Sequence, residues 1–187
     1  MKNKCWSCSK ESSKPEFFCI HCGKIQEGVE TNEFEFFGMK ESILISIDKL
    51  EESYLRLQSK FHPDKYINLS EKEREISTIY SSKVNEIYEK LRNNVSRINL
   101  ILKLSGFDNY DEGKSFDDPE TLNEIMEIQE EFMFTDNLKI KQKIKDKVNK
   151  MIKETLTDIE KYFENNEYEK ISKNNIKLSY LEKIIEK

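Results

Sequence analysis

The chain has 187 residues, a net charge of −5 and an isoelectric point near 5.4. That length accommodates one medium domain or two small ones plus a module. The acidic balance argues against nucleic acid as the main partner, which needs clustered positive charge, and no stretch approaches the ~18 apolar residues of a membrane span. Charged residues make up 36% and mean hydropathy is −0.77, yet apolar residues recur at helical spacing and only 5 Gly and 3 Pro interrupt them. An all-α fold is the expectation.

Three segments are read: residues 1–28, 31–107 and 117–187. Only four residues precede the first cysteine and no signal peptide is visible, so any targeting segment is absent, removed or unconventional. The first segment carries Cys5, Cys8, Cys19 and Cys22, with Ser12-Ser13-Lys14-Pro15 as a loop between the two pairs. A C-x-x-C turn brings two thiolates to one ion, and two such turns complete a closed tetrahedral shell of the structural zinc type. The segment is too short and polar to fold by itself, so a bound metal supplies on the order of 10–16 kcal/mol of apparent folding free energy. Its core is expected to be separate from the helices that follow. Two disulfides, free thiols, or iron in place of zinc are the alternatives. His21 stands between the last two cysteines as a substitute ligand or an exposed neighbour. Lys10, Lys14 and Lys24 are balanced by Glu11, Glu16 and Glu27, which leaves no net basic surface.

In the second segment, Leu50, Tyr54, Leu57 and Phe61 lie on one face of a helix over about 46–61. Ile76, Tyr80, Val84, Ile87 and Leu91 do so over about 70–92, with Ser70 and Glu73 as a capping box. A shorter helix carries Ile98, Ile101 and Leu102 and ends at Gly106. The joint Gly106–Gly113 is rich in turn formers. In the third segment, Asp118-Pro119 starts a helix to about Phe134. Leu138 to Phe163 forms a long helix with Ile144, Val148, Met151, Ile152, Ile159 and Phe163 on one face. Tyr168 to Ile185 closes an antiparallel three-helix bundle.

His62-Pro63-Asp64 follows the helix over 46–61 directly. Pro63 disfavours helix at His62, so the chain turns there and presents His62 and Asp64 on a loop. With Tyr54, Arg56, Leu57 and Lys60 before it and Lys65 after it, the stretch resembles a J domain. Phe34-Glu35-Phe36-Phe37-Gly38, Asn85–Leu91, Leu102-x-Leu104-x-Gly106-Phe107 and Met126–Glu131 are similar in order to HscB-type co-chaperones of iron–sulfur cluster biogenesis. Cys5-Trp6-x-Cys8 with Phe17-Phe18-Cys19-x-x-Cys22 resembles the extra N-terminal module of their eukaryotic, mitochondrial members.

The resemblance implies a zinc-ribbon-like module, a J domain and a C-terminal helical bundle, without catalysis. It implies docking on a DnaK-type ATPase chaperone through His62, Pro63, Asp64, Arg56, Lys60 and Lys65. It implies binding of the iron–sulfur scaffold protein through Leu122, Met126, Glu127, Glu130 and Tyr180. One structural zinc on Cys5, Cys8, Cys19 and Cys22 and a mitochondrial or mitochondrion-related location complete the expectation, with the cytoplasm as alternative. Two features depart from the family pattern. Asp48, Glu51 and Glu52 acidify the start of the loop-bearing helix, and Asn123 replaces a methionine beside Leu122. Between Ser115 and Leu138 there are eight acidic residues and no Lys or Arg, a surface suited to steering a protein partner. Leu122 fits bundle core and partner contact equally. The competing functions are a zinc-ribbon nucleic-acid binder, a metalloenzyme, and a J protein for misfolded clients. No nucleotide-binding glycine loop is present, and two histidines support no catalytic arrangement.

Overall fold

The computed structural model describes residues 3–107 and 118–185. Most of the Gly106–Gly113 joint, from residue 108 on, and the start of the acidic stretch lie outside the described residues. The elements are β1 (Asn3–Lys4), β2 (Glu11–Ser12), α1 (Glu33–Phe37), α2 (Ile47–Phe61), a 3-10 turn (Pro63–Tyr66), α3 (Glu71–Arg92), α4 (Asn94–Leu104), α5 (Pro119–Phe134), α6 (Leu138–Glu164) and α7 (Tyr168–Ile185). The chain forms two compact units, Met1–Lys40 with Ser46–Arg92, and Glu41–Ile45 with Asn93–Lys187.

In the first unit, α2 and α3 pack as an antiparallel pair. Leu50, Leu57 and Phe61 on α2 meet Ile76, Tyr80, Val84, Ile87 and Leu91 on α3, all buried. Polar contacts run along the edge of this seam. Tyr54 and Gln58 both donate to Asn85, and the Tyr88 hydroxyl donates to Glu51 at 2.6 Å. Helix α1 is short. It forms because Asn32 caps it, with Glu35 reaching back to complete a capping box, and because Gly38 ends it at φ 70°. Its Phe34, Phe36 and Phe37 are almost fully buried, each contributing about 1.5–3 kcal/mol of burial.

The cysteine segment does not keep a separate core. Phe17 places its ring 5.1, 5.3 and 5.4 Å from those of Phe36, Phe61 and Tyr80, all edge-on. Phe18 stacks on Phe61 at 6.0 Å. Ile25 and Val29 are buried as well. The polar rim is tied too. Lys24 pairs with Glu73 at 3.2 Å, Lys72 pairs with Glu27 at 2.8 Å, and both ammoniums lie over the Trp6 ring. So short and polar a segment cannot enclose a hydrophobic core, and the module borrows one from α1, α2 and α3.

The second unit contains α4, α5, α6 and α7. The three-helix bundle expected from the sequence is α5–α7, and α4 joins it as a fourth helix packed on α7. Helix α4 begins earlier than its apolar pattern suggested, because Asn93 caps it through Ser96 N–H at 2.8 Å. Its Ile98, Leu100, Ile101 and Leu102 are buried. The buried Asn175 of α7 donates to the Val95 carbonyl and to Asn99, which fixes the register of the two helices. Buried Arg97 donates to the Ile43 carbonyl at 2.9 Å, and burial pulls its pKa down to about 10 against the attraction of Glu182. The bundle buries Ile125, Ile128 and Phe132 on α5, Ile144, Val148, Ile152 and Ile159 on α6, and Ile171, Leu178, Leu181 and Ile184 on α7; of the α6 face expected from the periodicity, Met151 and Phe163 are only half-buried.

Candidate functional site

The four cysteines converge. All four Sγ atoms lie within 4.8 Å of one another, with Cys5–Cys22 and Cys8–Cys19 each at 3.7 Å. Four thiolates at ~2.3 Å from a tetrahedral ion stand about 3.8 Å apart, so the spacing fits a metal and not a pair of disulfides. The two arms repeat each other. After Cys8, Ser9 turns at φ 59° and its N–H donates to the Cys5 carbonyl at 3.0 Å; after Cys22, Gly23 turns at φ 74° and donates to the Cys19 carbonyl at 2.8 Å. Each arm then closes with Cys5 N–H on Lys10 O and Cys19 N–H on Lys24 O. Backbone N–H groups of Ser7 and Cys8 point at Cys5 Sγ, and that of His21 at Cys19 Sγ.

These donors shape the thiol chemistry. At Cys5, burial opposes ionisation, but the N–H groups of Cys8 and Ser7 outweigh it and bring the pKa down to about 6. The His21 N–H lowers that of Cys19 against burial. Cys22 goes the other way, to about 11. The Lys24 N–H favours its thiolate, but burial and donation of its S–H to the other sulfurs prevail. Thiolates this close cannot all ionise unless a cation sits among them. His21 is exposed, with Nε2 3.4 Å from the Glu11 carbonyl, and takes no part in the sulfur cluster.

The second candidate is the turn after α2. Pro63 holds His62 extended at ψ 125°, and the His62 N–H still reaches the Gln58 carbonyl at 2.9 Å. Buried Tyr66 donates its hydroxyl to the Lys60 carbonyl at 2.9 Å, tying the 3-10 turn back to the helix end. The backbone is thus pinned on both sides while the His62 and Asp64 side chains stay 54% and 78% exposed. His62 Nδ1 accepts from the Asp64 N–H at 3.3 Å, which leaves Nε2 to carry the proton outward. Lys60 and Lys65 are exposed, and Lys65 reaches Ser59. Arg56 is exposed but its Nη2 donates to the Phe37 carbonyl at 3.2 Å, so it also fastens the end of α1. That contact has no local sequence signal, because the partners are 19 residues apart.

The third candidate is the outer face of α5. Its inner face is Ile125, Ile128 and Phe132; Met126, Glu127 and Glu130 point outward, and Leu122 is half-buried between the two. Tyr180 is half-buried on α7, which packs against α5, and Lys183 lies 5.5 Å over its ring. Sequence reading did not single out Met133, Phe134 and Leu138. All are exposed, and they continue this face into the turn at Thr135–Asn137. The one signal for them is that they flank a polar joint between two helices.

Comparison with known proteins gives a consistent result. A family profile described as "HSCB C-terminal oligomerisation domain" matches residues 117–187. The iron–sulfur cluster co-chaperone protein HscB homolog of Arabidopsis thaliana is 31% identical over 97% of this chain and 71% of its own length. The HscB protein of Mus musculus is 31% identical over 98% and 80%. Among solved structures, human co-chaperone HscB superposes with a TM-score of 0.88 at 27% identity, over 98% of this chain and 95% of that one.

Proposed function

Because the chain belongs to the HscB family of iron–sulfur cluster co-chaperones, we propose that it stimulates the ATPase of a DnaK-type chaperone and delivers the iron–sulfur scaffold protein to it. The observation that carries this reading is the pinned turn with exposed His62 and Asp64 at the end of α2. A contact made by a rigid turn costs little ordering on docking, so charge and hydrogen bonding at His62 and Asp64 act on the partner. Lys60, Lys65 and Arg56 lie alongside and contribute steering, Arg56 with its guanidinium partly committed to Phe37. Residues 117–187 assemble with the scaffold through Met126, Glu127 and Glu130 on α5, with Leu122 of the same helix and Tyr180 of α7 as further contacts.

Cys5, Cys8, Cys19 and Cys22 hold one zinc, which supplies a cross-link between two backbone arms and, being closed by four thiolates, no open position for a reacting molecule. The protein performs no catalytic step of its own. Its work is in the mitochondrion or a related organelle. The deciding experiment is a steady-state ATPase assay of the partner chaperone with and without this protein and the scaffold. Stimulation that requires His62 and rises further with scaffold is the expected result; no stimulation by correctly folded protein refutes the reading.

A further inference from the structure

We propose that Leu55 is an apolar anchor by which the turn at His62 selects its ATPase chaperone, seating in an apolar recess that a basic side chain of the partner borders; this rests on the reading of that turn as the chaperone contact. Leu55 is a large apolar side chain left 58% exposed on α2. One exposed leucine is ordinary on a protein surface, and exposure alone singles out nothing. Its register does. Leu55, Ser59 and His62 follow at four and three residues and lie on one stripe of the helix, with Leu55 about two turns, roughly 10 Å, before His62. The His62 N–H still closes the helical bond to the Gln58 carbonyl, so the stripe runs unbroken into the turn. The Lys65 ammonium donates to the exposed Ser59 hydroxyl at 3.3 Å, which ties the far side of the turn to the same stripe.

The cations of α2 do not share this stripe. Arg56 and Lys60 follow at four residues on the neighbouring side of the helix, and Arg56 directs its guanidinium to the Phe37 carbonyl at 3.2 Å and the Ser53 hydroxyl at 3.5 Å. Toward the start of α2 the stripe becomes acidic. Asp48 stands seven residues before Leu55, Glu51 four and Glu52 three. Glu51 is engaged by the Tyr88 hydroxyl at 2.6 Å, whereas Asp48 and Glu52 are exposed. A uniformly acidic partner surface would suit Lys65 but be repelled beyond Leu55, and it would offer the leucine nothing to pack on. The matching surface takes hydrogen bonds and positive charge at the turn, is apolar two turns back, and carries a cation beyond that. Burial of Leu55 supplies affinity, and the carboxylates beside it select the partner.

The test titrates the DnaK-type chaperone with the full chain in a steady-state ATPase assay and reads half-maximal concentration and maximal stimulation separately. Leu55→Ala should raise the half-maximal concentration about 30-fold and leave the maximum unchanged, because the His62 turn is intact. Leu55→Met keeps volume and apolarity and should retain most of the affinity. Leu55→Lys is the diagnostic variant. Lysine suits a helix and sits four residues after Glu51, so the fold is preserved. A contact made by positive charge alone would be tightened by it, whereas an apolar anchor is lost and the half-maximal concentration rises. Glu52→Lys should weaken the contact at low salt and much less at roughly 0.5 M salt, where exposed charges are screened. Ile79→Ala, at a position 59% exposed on α3, should leave both quantities as they are. Melting temperatures of the Leu55 variants should match the unaltered chain, since the side chain faces solvent. No stimulation by the unaltered chain, or stimulation indifferent to His62→Gln, removes the chaperone reading and the anchor with it. Stimulation that needs His62 but is unchanged by Leu55→Ala, or strengthened by Leu55→Lys, overturns the anchor alone.

Discussion

Glu73 is a buried carboxylate that serves two structures at once. It accepts from the Ser70 hydroxyl at 2.6 Å, capping α3, and pairs with Lys24 of the cysteine module. The Ser70 hydroxyl, with Lys24, holds its pKa below the usual carboxylate range in spite of burial. A depressed native pKa stabilises the fold fully above the unfolded carboxylate's range, and that stabilisation is lost as pH falls through the native value. Glu73→Gln should therefore cost about 1–3 kcal/mol at neutral pH and flatten the acid side of a stability-against-pH curve measured by urea unfolding. The Ser70–Glu73 cap was legible in the sequence because it is local; Lys24 was not, because its partner stands 49 residues away with no pattern to point to it. His62 is the opposite kind of residue, exposed and expendable for folding. His62→Gln should change stability by less than ~0.5 kcal/mol and abolish ATPase stimulation, checked by thermal melting and a steady-state assay on the same preparation.

Among the elements, the cysteine module departs most from its sequence reading. Spacing alone was enough to group the four thiols, since metal geometry is local. The destination of Phe17 and Phe18 was hidden, because two aromatics between cysteines fit a loop as well as a core. Their rings sit on Phe61, the residue just before His62. Stripping the metal should thus loosen the first unit as a whole. Amide hydrogen exchange is expected to accelerate in α1, α2 and the turn at 62–66, while α4–α7 keep their protection. Phe17→Ala should destabilise the same unit by about 2–3 kcal/mol, somewhat under the full-core range because the side chain is half-buried. If exchange speeds up only within residues 3–28, the shared core carries no such coupling. The 3.6-residue period found α2, α3, α5, α6 and α7; it missed α1, whose five residues are set by a cap and a glycine and not by periodicity.

For the molecule as a whole, the sequence delivered the all-α class and the order of its parts, because long amphipathic helices advertise their inner faces. It put α4 with the preceding helices, whereas its apolar face packs on α7, a pairing about 80 residues apart that only the folded chain reveals. Leu122 illustrates the limit: half-buried, it satisfies both core and contact. Met126 does not, being half-exposed beside Glu127 and Glu130. Met126→Ala should then leave the melting temperature nearly unchanged and weaken scaffold binding by about 2 kcal/mol in calorimetry. Tyr180→Ala, at a half-buried position, should lower both.

The two cysteine arms close through contacts no more than 17 residues apart in sequence, whereas Phe17 waits for Phe36, Phe61 and Tyr80. During synthesis the metal site is complete several seconds before Tyr80 is even added, at ~5–20 residues per second. On the proposed zinc reading, metal loading can precede the shared core, on a chain whose apolar side is still bare. On the same reading, a cell short of zinc would see the defect in newly made chains, as aggregation or proteolysis, while molecules already folded went on working.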